Sequence, residues 1–116
     1  MPFPPQTIIE TQEFIKRSER RMSATEREEA IYLIANHPER GVLIRETGGV
    51  RKIRFGIAGR GKSGGVRIIY FFHNENMPIY LLTVFAKNEK ANLSKAECNA
   101  LAKLTQLLVA KHGVKP

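Results

Sequence analysis

The sequence contains no aspartate among its 116 residues. That absence removes the Walker-B carboxylate and the paired-aspartate form of acid–base chemistry. A single cysteine, Cys98, has no partner for an intramolecular disulfide and excludes a cysteine-based zinc site. The three histidines, His37, His73 and His112, are scattered without metal-ligand spacing, so neither a metal nor a cofactor is expected. No apolar run approaches the roughly 18 residues that a bilayer span requires. The opening MPFPPQTIIE has neither the charged nor the apolar region of a signal peptide, which makes the cytoplasm the expected location. With no repeat, low-complexity tract or linker to divide it, the chain is expected to form one domain over residues 1–116.

What the chain has in excess is positive charge. The net charge is +8, and the segment from Arg40 to Lys90 carries ten Lys and Arg against three Glu. Elsewhere nine basic groups face eight acidic ones. A field concentrated in one segment attracts a polyanion, and nucleic acid is the commonest polyanion in a cell. An ordinary solubilising surface is the alternative.

Hydrophobic spacing supplies the elements. Gln6 to Glu10 predicts a short strand, and Thr11 or Gln12 to about Arg21 a helix with Phe14 and Ile15 as its apolar contacts. Ser23 and Glu26 stand three apart as a capping box for a second helix, whose buried stripe would be Ala30, Ile31, Ile34 and Ala35. Pro38 ends it. Val42 to Ile44 forms a short extended piece before the Thr47-Gly48-Gly49 turn. From Arg51 to Ile57 the residues alternate, with Ile53, Phe55 and Ile57 on one face and Lys52 and Arg54 on the other. Val66 to His73 is apolar on both faces, as in a central strand, and Pro78 to Ala86 follows as its antiparallel neighbour. Ser94 and Glu97 open a C-terminal helix with Cys98, Leu101, Leu104 and Leu108 on one face, so Cys98 reads as core and not as nucleophile. The predicted fold class is α+β: a small antiparallel twisted sheet packed by N-terminal helices and a C-terminal helix, all on one side.

Gly56 to Ser63, GIAGRGKS, fits the nucleotide-binding pattern G-x-x-x-x-G-K-[ST]. A phosphate loop of that kind must lead into a helix. Here Val66-Arg67-Ile68-Ile69-Tyr70-Phe71-Phe72 follows, β-branched and aromatic, which predicts a strand. The segment is therefore expected to be a hairpin connection carrying Arg60 and Lys62.

The sheet face opposite the helices would gather Lys52, Arg54 and Arg67, with Lys87 and Lys90 at its rim. Such a face can hold an RNA backbone, with nearby rings available to stack a base. Arg51, Arg60, Lys62 and Asn88 complete the expected RNA contacts. A solvated strand face is the alternative for Lys52 and Arg54. For Arg67 it is a poorer one, because an arginine in an apolar strand must meet an anion, a carboxylate or water.

The stretches GGVRKIRFGIAGRGKSGGVRIIYFF and IYLLTVFAKNEKANLSKAE resemble the RelE and HigB group of bacterial toxin–antitoxin toxins, nearest its HigB-type branch. The resemblance covers about Gly41 to Leu108 and rests on the Arg-Lys-x-Arg, Gly-Lys-Ser-Gly-Gly-x-Arg and Ala-Lys-Asn-Glu-Lys blocks. It implies the same compact fold and a ribosome-dependent mRNA endoribonuclease that inhibits translation, with ribosome and mRNA as targets. The implied neutralising partner is an antitoxin of helix-turn-helix type. The family's basic pair falls on Lys52 and Arg54, its following arginine on Arg67, and its later cationic segment on Lys87 and Lys90. Where RelE-type members have an assisting arginine and tyrosine, this chain has Asn88 and Ser94, and the histidine and aspartate set of some HigB proteins is absent. On this reading Arg67 grips the phosphate, Lys52 is the candidate base because Arg54 and Arg67 favour its neutral form, and Lys87 or Lys90 acts as acid or clamp. A ParE-like toxin that poisons DNA gyrase and a non-catalytic RNA-binding module are the alternatives.

Overall fold

The computed structural model describes residues 4–57, 61–90 and 92–113, and of residues 61–64 the backbone alone. Five strands and three helices follow one another as β1 (Ile8–Glu10), α1 (Gln12–Arg21), α2 (Ala24–Asn36), β2 (Val42–Leu43), β3 (Val50–Ile57), β4 (Gly61–Phe71), β5 (Ile79–Ala86) and α3 (Lys95–Lys111). Each helix starts where a side chain satisfies its free amides. The Thr11 hydroxyl accepts from the Phe14 amide at 3.3 Å. Ser23 and Ser94 accept from the Glu26 and Glu97 amides, both at 3.1 Å, while those glutamates accept from the serine amides at 2.8 Å. Both expected capping boxes form, and a cap of this kind is worth about 1 kcal/mol.

The strands form one sheet in the order β1-β5-β4-β3-β2. The pairs β2–β3, β3–β4 and β4–β5 are antiparallel, as expected. β1 departs from that expectation by pairing parallel to β5, with Ile8 opposite Ile79. Its parallel direction is possible because the whole of α1 through β4 intervenes between the two strands.

Helices cover both faces, not one. α1 and α2 bring Phe14, Ala30 and Ile34 onto Ile53, Ile68, Tyr70, Leu81 and Val84. Across the sheet, α3 lays Leu101, Leu104, Leu108 and Val109 over Val50, Ile69, Phe71, Tyr80 and Leu82. The cause is in β4 and β5 themselves. Strands apolar on both faces leave one face in water unless each has its own cover. Cys98 is half-buried and lies outside both clusters. His112 caps α3 and places Nε2 2.6 Å from the Tyr80 hydroxyl.

β4 begins at Gly61, five residues before the expected Val66, so most of the glycine-rich segment is strand. The GIAGRGKS pattern thus runs from β3 into β4, without the helix a nucleotide loop needs. Glycine is required at Gly65 by a close approach: a Cβ there would lie 2.3 Å from the Phe55 carbonyl oxygen. The β3–β4 register shifts at this point, between Phe55 and Ile57.

A candidate phosphate-binding site on the sheet

Alternation in β3 puts Lys52 and Arg54 on the face shared with Val50, and pairing with β4 completes the cluster. Arg54 stands directly opposite Arg67, and Lys52 opposite Ile69. On its other side Arg67 faces Phe85 of β5. This is the face that α3 covers, but the helix packs over the end holding Val50, Ile69 and Phe71. The end carrying the cations stays open as a cleft of about 440 Å³, lined by Arg40, Val42, Lys52, Ile53, Arg54 and Arg67.

The electrostatics of the cleft are unfavourable as they stand. Like charges directly opposite in an antiparallel pair repel. Arg67 is only 8% exposed, and among the described residues its guanidinium makes just one long contact, Nη1 to the Val66 carbonyl at 3.5 Å. Burial, and after it the charge of Arg54, push its pKa below the usual arginine value. The ion pairs formed among the described residues use Arg17, Arg21, Arg27 and Lys90, and none reaches Lys52, Arg54 or Arg67. An anion bound between the two guanidiniums would relieve the repulsion and give Arg67 a closer partner than the Val66 carbonyl.

The remaining expected residues divide. Lys87 and Asn88 are exposed on the turn that leaves β5 two residues beyond Phe85. Glu89 fixes that turn: its carboxylate accepts from the Ala86 amide at 2.6 Å and from Arg17 and Arg21 of α1. Chiefly through the Arg21 hydrogen bond, its pKa is lowered from 4.5 to about 2. Lys90 is half-buried, with its ammonium paired to Glu97 and 5.2 Å from the Phe85 ring centre. Hydrogen bonding from Lys90 in turn holds the Glu97 carboxyl below its usual range. Lys90 therefore adjoins the cluster with its charge already engaged.

Arg51 is not brought to the cleft. It points to the opposite face, across from Tyr70, and its Nη1 donates to the Glu39 and Gly41 carbonyls at 3.0 and 2.8 Å. Arg60 and the side chain of Lys62 lie outside the described residues. Two residues that sequence reading did not single out do belong here. Asn92 accepts from Lys52 Nζ through Oδ1 at 3.2 Å, orienting the lysine. Arg40 reaches the cleft from the turn before β2. The Asn92 contact spans 40 residues and Arg40 arrives by way of Tyr70, so no local spacing signals either one.

Among the described residues no helix is long and apolar enough to cross a membrane, and no group of histidines, cysteines and acidic residues is placed to hold a metal. The fold is similar to that of an Arg-to-Ala double mutant of the E. coli toxin RelE in its free state. The TM-score is 0.57 at 16% identity, over 88% of this chain and 98% of the other. At that identity the likeness speaks for the fold alone. The family evidence is separate: a family model described as the RelE toxin of the RelE / RelB toxin-antitoxin system matches residues 8–114, nearly the whole sequence. The chain belongs to the RelE toxin family and is a toxin of a toxin–antitoxin system.

Proposed function

We propose that the protein is a ribosome-dependent mRNA endoribonuclease of the HigB-type branch, acting in the cytoplasm and restrained by an antitoxin of helix-turn-helix type. The observation that carries this reading is the facing pair Arg54 and Arg67, with Lys52 alongside, at an uncovered end of the sheet and without a carboxylate partner among the described residues. A like-charged pair of this kind weakens the fold, which makes sense where the charges serve a bound anion.

The chemistry is transesterification within the RNA. The ribose 2′-oxygen attacks the adjacent phosphorus, its proton leaves to a base, and the 5′-oxygen departs with a proton from an acid. The products are a 2′,3′-cyclic phosphate and a free 5′-hydroxyl. Lys52 takes the first proton, held by Asn92 and flanked by Arg54. Arg67 and Arg54 receive the charge that builds on the phosphorane oxygens, a role in which one preorganised donor is worth about 2.7–4 kcal/mol. Lys87, exposed and unpaired among the described residues, protonates the leaving oxygen. Lys90, already paired with Glu97, sets the field around it. Arg60, Lys62 and Asn88 contact RNA phosphates around the site, where charge matters more than fixed geometry.

The test is to map mRNA 5′ ends on translating ribosomes with the wild-type chain and with Arg67→Ala. New 5′ ends that vanish in a folded Arg67→Ala protein support the assignment. Unchanged cleavage removes Arg67 from the chemistry, and gyrase-dependent DNA breaks without RNA cleavage replace the nuclease with a gyrase poison.

A further inference from the structure

The turn from His37 to Gly41 is anchored far more firmly than a short surface connection needs to be. Its first residues close on themselves through Arg40 N–H to the His37 carbonyl at 3.0 Å. The Tyr70 hydroxyl, buried in the core, donates to the Pro38 carbonyl and accepts from the Gly41 amide, both at 2.9 Å. Arg51 adds the two bonds to the Glu39 and Gly41 carbonyls. Even the side chain is selected, because a Cβ at Gly41 would stand 2.8 Å from the Tyr70 oxygen. An arginine and a tyrosine from one face of the sheet are thus committed to holding this backbone. The side chain it presents to the other face is Arg40, at the mouth of the cleft.

Arg40 forms no ion pair among the described residues and is exposed. Next to it in the cleft lies Val42, 70% exposed, whose strand position is directly opposite Lys52. A guanidinium and an apolar side chain adjoining the Lys52, Arg54 and Arg67 group supply the two kinds of contact that a single strand of RNA takes in turn, to a phosphate and then to a ribose and base.

We propose that Arg40 is a second phosphate subsite, gripping the phosphodiester next to the one held by Arg54 and Arg67, and that Tyr70 and Arg51 are the residues that position it. This rests on the phosphate-binding reading of the cleft. It also gives Arg51 a role other than touching RNA.

Binding of a fluorescein-labelled single-stranded ribonucleotide 10-mer, measured across a salt series, reads phosphate contacts directly. Arg40→Gln is expected to weaken binding and to flatten the plot of log K against log salt by about 0.7, the value for one contact on a single strand. On ribosomes the same variant is expected to need more toxin for half-maximal cleavage, while the rate at saturation holds. Tyr70→Phe, which removes both anchoring bonds and keeps the ring in the core, is expected to reproduce the weaker binding with less change in slope. An Arg40→Gln slope equal to the wild-type slope overturns the subsite. If the wild-type chain fails to cut mRNA yet the slope changes as expected, the nuclease reading falls and the subsite stands.

Discussion

Arg67 places a charge in a strand whose neighbours Val66, Ile68 and Ile69 are fully buried, and this makes it costly to keep. Replacing a buried charge by an apolar side chain of similar size often stabilises a protein. Arg67→Met is therefore expected to raise the urea midpoint, with a gain of about 1 kcal/mol from the lost repulsion and desolvation. The same change is expected to lower cleavage about 10²- to 10³-fold. A variant that loses both stability and cleavage would instead mark Arg67 as a structural residue. Lys52, Arg54 and Arg67 were legible in the sequence because strand alternation fixes which side chains share a face. The same alternation also implied that Arg51 points away, since it precedes Lys52. Charge alone could not reveal that Arg51 Nη1 donates to the Glu39 and Gly41 carbonyls.

At the scale of elements, local signals succeeded and distant pairings did not. The hydroxyl and carboxylate that define each capping box lie within four residues, so Ser23 and Ser94 announce α2 and α3 directly. β1 against β5 joins residues some 70 positions apart, and nothing in QTIIE encodes a parallel partner. The two-sided cover is encoded in the apolar residues on both faces of β4, although that pattern by itself names no covering helix. Glu89 shows how one element positions another, since it ties the Lys87–Lys90 turn to α1 through Arg17 and Arg21. Its folded value of about 2 lies below the ordinary 4.5. The contribution is therefore whole above pH 4.5 and is lost as pH falls toward 2. Glu89→Gln is expected to cost about 1 kcal/mol or less near neutrality, and the difference from wild type should shrink in urea melts taken between pH 4.5 and 2. The hairpin glycines should separate in the same assay. Gly65→Ala meets the Phe55 carbonyl and is expected to lose about 1–3 kcal/mol. Gly56→Ala, with nothing within 4 Å of its Cβ, is expected to be tolerated, although a true nucleotide loop could not spare it.

For the molecule as a whole, the GIAGRGKS pattern leads into strand β4 and not into the helix that a nucleotide loop needs. A ligand at a hundred times its Kd stabilises a protein by about 2.7 kcal/mol. Millimolar ATP with magnesium is expected to leave the melting temperature unmoved, and a clear rise would restore the nucleotide reading. The parallel contact of Ile8 with Ile79 also governs the order in which the molecule can assemble. At about 5–20 residues per second of synthesis, roughly 4 to 14 seconds pass between the making of β1 and of its partner strand. During that interval Phe14 and Ile34 have no complete sheet to pack against. The newborn chain therefore exposes Phe14 and Ile34 until β5 arrives to complete the sheet beneath them.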